Sequence, residues 1–166
     1  MKLLRFVDKS HRSVEAAFAE AKLLGHDAVG DEDLLLGILR ADAGMAAAAL
    51  SALGITLEDV REGSEELLSD AFSSIGISLE EVRREAGDAF EMQLPADRKI
   101  PFSPLAQKAL VEEARKEMRR LGDDHLGTEH VLLGILRNEG STAVRILARM
   151  GVSPETLEDR LFDLRR

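Results

Sequence analysis

The residues with the clearest potential for chemistry lie in one short segment, where two histidines flank a glutamate. His125, Glu129 and His130 supply nitrogen and carboxylate groups of the kind that zinc binds in hydrolases. A zinc protease helix places its two histidines four residues apart on one face, but these two are five apart. Glu129 and His130 are adjacent, so their side chains diverge by roughly 100° around a helix. We therefore predict no metal site and no catalytic centre here.

Other routes to catalysis are also missing from the sequence. The chain has no cysteine to act as a nucleophile, and no serine lies in a recognisable nucleophile elbow. It has no Gly-x-x-x-x-Gly-Lys-Ser/Thr phosphate loop. We predict that the protein is not an enzyme, binds no ATP and needs no cofactor.

The acid at position 129 belongs to a stretch that occurs twice, at residues 29–40 and 126–137. Each copy has a glycine, then a residue able to cap a helix, then an acid in the first turn, and then an apolar run that closes on Ile-Leu-Arg. This pattern predicts the start of a buried helix. The capping residues are Asp31 and Thr128, and the acids are Glu32 and Glu129.

Composition excludes several classes of partner. A net charge of -9, from 22 basic and 31 acidic residues, argues against a nucleic-acid or anionic-membrane surface, since either needs a basic patch. The chain has no tryptophan and no tyrosine to stack on bases. The N-terminus lacks the apolar core of a signal peptide, and no stretch approaches the length of a membrane span. We expect a soluble cytoplasmic protein.

Helical spacing and helix stops place four helices in each half of the chain. Leu24 aligns with Leu121 at a distance of 97 positions, as Glu32 does with Glu129. Phe6 aligns with Phe102 at 96, so the first helix of the second half has one extra residue. No alternating strand pattern competes. We predict an all-α fold of two four-helix lobes related by a pseudo-twofold, with an inserted helix pair between them.

The inserted pair is predicted from a turn that occurs at residues 54–61 and again at residues 76–83, because the second copy has no counterpart in the other half. We therefore divide the chain into a first repeat, inserted helices with a linker, and a second repeat. Their predicted bounds are residues 1–63, 64–98 and 99–166.

This twofold pattern of phenylalanine, long helix, Leu-Gly, a Gly-Thr-Glu-His-like helix start and a small-residue helix resembles the Clp N-terminal repeat domain. It looks closest to the N-domain of ClpC-type AAA+ unfoldases, and residues 99–108 are particularly like the opening of the second repeat there. The resemblance covers nearly the whole chain except residues 64–98. The absence of an ATPase motif suggests an excised N-domain or a free-standing protein, and the insertion favours the second.

The resemblance implies a binding module of the Clp proteolytic system. Domains of this type receive substrates and adaptor proteins, recognise phosphorylated arginine as a degradation mark, and are bound by antibacterial cyclic peptides. A free-standing version would act as a decoy or an adaptor. The alternative is a regulatory partner that binds the Clp unfoldase itself by helix packing, without recognising phosphoarginine.

The family's recognition glutamates match Glu32 and Glu129. We expect the better phosphoarginine site to combine Glu129 with Thr128 and Ser103, because Ser103 keeps a hydroxyl where the first repeat has Val7. The site of Glu32 and Asp31 should be poorer, because Asp31 adds negative charge. The alternative is that both glutamates are first-turn acids favoured by the helix dipole, worth about 0.3 to 1 kcal/mol each.

The family's cyclic-peptide surface maps to the faces of the two first helices, on Phe102, Leu3, Val14 and Phe18. The alternative is that Val14 and Phe18, four residues apart, belong to the core.

Overall fold

The computed structural model describes residues 6–86 and 98–166, and its regular structure in these ranges is helical. The predicted all-α fold is confirmed. The first repeat has α1 (Asp8–Leu23), α2 (Asp31–Ala41), α3 (Met45–Ala52) and α4 (Leu57–Ser73), followed by α5 (Leu79–Ala86). The second repeat has α6 in three consecutive pieces (Pro104–Gln107, Lys108–Glu113 and Ala114–Arg120), then α7 (Thr128–Arg137), α8 (Thr142–Arg149) and α9 (Pro154–Arg165).

The extra residue predicted in the first helix of the second repeat has a structural counterpart. The middle piece of α6, Lys108–Glu113, is a π-helix, whereas α1 is α-helical throughout. A π-helical turn accommodates one additional residue without ending the helix. The two first helices can therefore start and stop at equivalent positions although their lengths differ.

The segment between the repeats differs from the sequence prediction in one respect. We predict a new helix after residue 63, but α4 runs from Leu57 to Ser73 without a break. Gly63 lies inside this helix, and its missing side chain leaves room for α8: a Cβ there would lie 2.7 Å from Ile146 Cγ2. The first member of the predicted inserted pair is thus the second half of α4, and α5 packs against it. The residue bounds of the two repeats stay a prediction.

The two repeats interlock through equivalent elements. The third helix of each repeat packs against the fourth helix of the other, so α3 contacts α9 and α4 contacts α8. Short backbone bridges join Phe6 to Leu126 and Val29 to Phe102. Phe6 is equivalent to Phe102 and Val29 to Leu126, so the two bridges exchange equivalent partners, as in a twofold interface. One continuous core results, with the apolar residues of α2 and α7 at its centre.

Among the described residues, no single helix has the length and apolar character needed to cross a membrane. By length and composition alone, α2 and α3 pass that test together, as a pair bent by 90°.

Candidate functional site

Each candidate glutamate lies beside a segment from the other repeat. The backbone N–H of Ser103 donates to the carbonyl of Val29 at 2.8 Å, and that of Val7 donates to the carbonyl of Leu126 at 3.1 Å. Ser103 and Glu32 line one open groove of about 580 Å³. The structure therefore places Ser103 in the same groove as Glu32, whereas the sequence led us to expect it beside Glu129. We call the groove residues Glu32, Ser103 and Thr142 the Glu32 site.

The two predicted capping residues face the opposite repeat. Asp31 and Thr128 are both 1% exposed. The Asp31 carboxylate accepts hydrogen bonds from the Ser141 hydroxyl and, at 3.0 Å, from the N–H of Ala143. The Thr128 hydroxyl accepts from the N–H of Ala46 at 3.2 Å. These oxygens are used in holding the repeats together.

Both glutamate side chains fold back over the glycine that precedes their helix. A Cβ on Gly30 would lie 2.4 Å from Glu32 Oε2, and one on Gly127 would lie 2.5 Å from Glu129 Oε2. A side chain on either glycine would displace the carboxylate from this position. The repeated glycine is thus part of the site, because it lets each carboxylate lie against the start of the helix.

The electrostatic surroundings of Glu32 are unfavourable for its charge. Burial, and then the neighbouring carboxylates of Asp33 and Asp31, raise the pKa of Glu32 to about 7. Glu129 instead lies near a cation, since its charge is among those that raise the pKa of the Arg165 guanidinium. A positively charged ligand would relieve the repulsion at Glu32.

Beside each glutamate, a histidine is hydrogen-bonded to an aspartate. The histidine comes first along the chain in the first repeat, and the aspartate comes first in the second. In the first repeat His26 Nδ1 lies 2.9 Å from Asp33 Oδ2, and in the second His130 Nε2 lies 2.8 Å from Asp123 Oδ2. The hydrogen bond to Asp33 raises the pKa of His26. The Gly127 N–H donates to His130 Nδ1 at 2.8 Å, so this nitrogen is the unprotonated one.

Two groups of side chains could each reach one metal ion, because their ligand atoms lie within 4.8 Å of one another. The groups are His26, Glu32 and Asp33, and Asp123, Glu129 and His130. In both, the ring and the aspartate are already hydrogen-bonded to each other. The second group contains Glu129 and His130, which the sequence predicts not to bind metal, and that stays a prediction.

Three of the four residues predicted for the hydrophobic peptide surface lie in the described part of the chain. The rings of Phe18 and Phe102 meet edge to face, with centroids 5.1 Å apart. These two side chains and Val14 are partly buried and pack against the core. Each therefore has a core role and an accessible portion. Leu3 lies outside the described residues.

Sequence reasoning missed the contribution of α8. Thr142 and Arg145 line a groove of about 1000 Å³ that also contains Glu32 and the leucines Leu67 and Leu68 of α4. The sequence does show that Thr142 and Arg145 share a face of α8, since they are three residues apart. Nothing in the sequence shows, however, that α8 of the second repeat lies against the first-repeat glutamate.

A family profile described as "Clp repeat (R) N-terminal domain" matches residues 5–71 and 64–150. The "Chaperone protein ClpC, chloroplastic" of Pisum sativum is 32% identical over 158 residues, which are 95% of this chain and 15% of that protein. The "ATP-dependent Clp protease ATP-binding subunit ClpA homolog" of Cyanidium caldarium is 35% identical over 158 residues, 95% of this chain and 16% of that protein. The chain thus spans about a sixth of the length of these relatives.

Two solved structures share the fold. The N-terminal domain of the chaperone ClpD from Arabidopsis thaliana superposes with a TM-score of 0.66 at 22% identity, covering 98% of both chains. The Hsp104 N-terminal domain from Candida albicans gives a TM-score of 0.64 at 17% identity, covering 97% of this chain and 91% of that one. The helix arrangement described above is therefore shared by N-terminal domains of several chaperones.

Proposed function

The chain belongs to the Clp repeat (R) N-terminal domain family, and from this premise we propose that it binds substrate proteins or adaptors of a Clp proteolytic system. Domains of this family are non-catalytic binding domains, in agreement with the prediction that this chain is not an enzyme. Its partners in this proposal are proteins and peptides.

The Glu32 site is the proposed receptor for phosphorylated arginine. Glu32 makes no ion pair with any residue in the described ranges, and its carboxylate lies in the groove that Ser103 also lines. A carboxylate accepts two parallel hydrogen bonds from a guanidinium group, and a hydroxyl can donate to a phosphate. The shared groove of Glu32 and Ser103 is the observation that carries this proposal.

Glu129 is proposed as a second, weaker site. The Val7 N–H donates to the Leu126 carbonyl as the Ser103 N–H does to that of Val29, so Val7 occupies the equivalent position and supplies no hydroxyl. Arg165 lies near Glu129 and binds Asp123, with Nη1 at 2.7 Å from Oδ2. A guanidinium ligand would have to compete with this internal arginine for the charge of Glu129.

The exposed portions of Val14, Phe18 and Phe102 form the proposed surface for hydrophobic peptides, including cyclic-peptide antibiotics. The Phe18 and Phe102 rings come from different repeats, so a peptide there would contact both. This surface and the Glu32 site would allow the protein to act as an adaptor or a decoy.

A regulatory partner that binds the Clp unfoldase by helix packing is the second candidate. The second half of α4 and the turn before α5 expose large apolar side chains: Leu68 is 42% exposed, Ile75 69% and Ile77 39%. Such residues are available for a helix of another protein. The cytoplasmic location stays a prediction, and the pea relative is described as chloroplastic.

Isothermal titration calorimetry of the protein with phosphoarginine, and with arginine as control, tests the phosphoarginine proposal. We expect selective binding of phosphoarginine, reduced to the weaker site in Glu32→Gln and little changed in Glu129→Gln. Equal binding of both ligands, or no heat with either, would contradict it. Capture of a purified Clp unfoldase by a variant that binds no phosphoarginine would support the second candidate.

A further inference from the structure

One face of α8 completes the groove that contains Glu32. Thr142 and Arg145 are three residues apart on this helix, and both line the groove of about 1000 Å³ with Glu32. Thr142 also lines the adjoining groove with Ser103. Residues that are three apart point to the same side of a helix, so the hydroxyl and the guanidinium are presented together.

The start of α8 is fixed next to the glutamate. Asp31, the residue before Glu32, accepts hydrogen bonds from the Ser141 hydroxyl and the Ala143 N–H in the first turn of α8. Arg145 follows within the next turn of the same helix. Its distance from the Glu32 site is therefore set by a rigid element and not by a loop.

Arg145 is available for a ligand. Its side chain is exposed, and it forms no ion pair within residues 6–86 and 98–166. The neighbouring arginines are engaged: Arg61 pairs with Glu20 and Glu58, and Arg149 pairs with Asp70. An arginine fork matches two phosphate oxygens and is the preferred side chain for such recognition.

We propose that Arg145 is the specificity residue of the Glu32 site and binds the phosphate of a ligand that carries both a guanidinium and a phosphate group. This inference rests on the function proposed above and deepens it. Glu32 binds the positive end of the ligand, and Arg145, with Thr142 beside it, binds the negative end. Plain arginine lacks the phosphate, and the positive charge of Arg145 disfavours it.

The pseudo-twofold does not reproduce the polar surroundings of Glu32 in the other repeat. At the offset of 97 positions, Thr142 corresponds to Met45 and Arg145 to Ala48. The residue that occupies the place of Ser103 is Val7. The equivalents of the three polar groups that surround Glu32 are thus apolar in the other repeat, so phosphoarginine should bind the Glu32 site more tightly than the site of Glu129.

Nuclear magnetic resonance titrations of the full chain test this inference, with phosphoarginine, arginine and inorganic phosphate as three separate probes. We expect Arg145→Ala to weaken phosphoarginine binding roughly tenfold or more, since one charge-assisted pair is lost. The phosphoarginine affinity of Arg145→Lys should lie between that of Arg145→Ala and that of the wild type. Arg149→Ala removes the same charge from the same helix and should stay within about twofold of the wild type.

The three probes separate the two proposals. Unchanged phosphoarginine affinity in Arg145→Ala would overturn the role of Arg145 and leave the proposed function standing. A second outcome is that inorganic phosphate shifts the Arg145 Nε–H and Thr142 N–H signals of the wild type while phosphoarginine does not bind. This result would support the phosphate subsite and overturn the proposed function. A wild type that binds neither phosphoarginine nor phosphate would overturn both.

Discussion

Asp31 and Thr128 occupy equivalent positions, and each caps the start of the small-residue helix in the other repeat. Asp31 accepts from the N–H of Ala143 in α8, and Thr128 accepts from the N–H of Ala46 in α3. Ala46 and Ala143 are themselves equivalent. An N-cap normally belongs to the chain just before its helix. In α8 the local cap is present, since the Ser141 hydroxyl accepts from the Val144 N–H, and Asp31 adds a second acceptor from the other repeat. Hydrogen bonds that stabilise a helix start therefore also fix how the repeats pack.

Loss of the Asp31 carboxylate should therefore destabilise the whole fold. We expect Asp31→Ala to lower the free energy of unfolding by about 2–3 kcal/mol, because two buried donors lose their acceptor. Thr128→Val should cost about 1 kcal/mol, since one hydrogen bond is lost. Urea denaturation followed by circular dichroism measures both changes. The control is Thr56→Ala, which removes an exposed N-cap within one repeat and should lower the free energy of unfolding by about 1 kcal/mol. An Asp31→Ala cost no larger than that control would contradict the cross-repeat role.

The raised pKa of Glu32 makes the stability depend on pH. Because this pKa is about 7 in the folded protein against an ordinary 4.5, the folded state holds more protons than the unfolded state between these values. Stability should fall as the pH rises from about 4.5 to about 7 and then level off. Glu32→Gln should remove this loss and stabilise the protein at pH 8 by on the order of 1–3 kcal/mol.

Thermal unfolding of Glu32→Gln and of the wild type at pH 5 and pH 8 measures this effect. The matched control is Glu129→Gln, whose parent carboxylate lies near Arg165 and should give no such gain. A gain of the same size at both pH values would mean that the charge of Glu32 is not its cause.

The helices could be predicted from the sequence because local signals determine them. The Ser103 hydroxyl accepts from the Ala106 N–H as a cap should, and Gly151 ends α8 in the left-handed conformation with φ of 78°. The extra residue of α6 was also visible as a change of offset. The boundary predicted after residue 63 does not coincide with a helix end, because α4 continues through Gly63, where the missing Cβ leaves room for Ile146 of α8. No local pattern reports such a contact.

The candidate site was predictable residue by residue but not as an arrangement. Glu32, Glu129 and Ser103 are recognisable from the repeated motif alone. Their grouping depends on the exchange of segments between the repeats, in which the Ser103 N–H bonds to the Val29 carbonyl. A sequence offset aligns Ser103 with the second repeat, whereas the fold places it in the first-repeat groove. The partner of each glutamate is therefore a property of the tertiary structure.

The two histidine–aspartate pairs have reversed order along the chain. We therefore predict that stability depends on having one histidine and one aspartate in the pair, and not on which position holds which residue. Asp33→His would place His26 against a second histidine, and we expect a loss of about 2–3 kcal/mol because the buried capping bond to the Gly30 N–H is also disturbed. Adding His26→Asp restores the order found in the second repeat. The double variant should recover at least half of the loss, through a coupling energy of about 1–2 kcal/mol. Additive losses in a urea double-mutant cycle would contradict the equivalence of the two pairs.

The close approach of α7 to α6 depends on Gly134. A Cβ at this position would lie 2.3 Å from the carbonyl oxygen of Ala109, in the π-helical piece of α6. Gly37 has the same relation to the carbonyl oxygen of Ser13 in α1. Backbone atoms cannot turn away as a flexible side chain can, so the two helices must separate. We expect Gly134→Ala to destabilise the protein by about 2–3 kcal/mol, although alanine is the better helix former.

Gly151→Ala is the control for this experiment, since a Cβ at Gly151 meets nothing within 4 Å. Its left-handed conformation alone should cost about 1 kcal/mol. If helix α6 can shift because its π-turn is adjustable, Gly134→Ala should cost less than Gly37→Ala, whose partner helix has no such turn. Urea unfolding of the three variants distinguishes these cases, and equal costs for Gly134→Ala and Gly151→Ala would show that close helix packing is not the reason for the glycine.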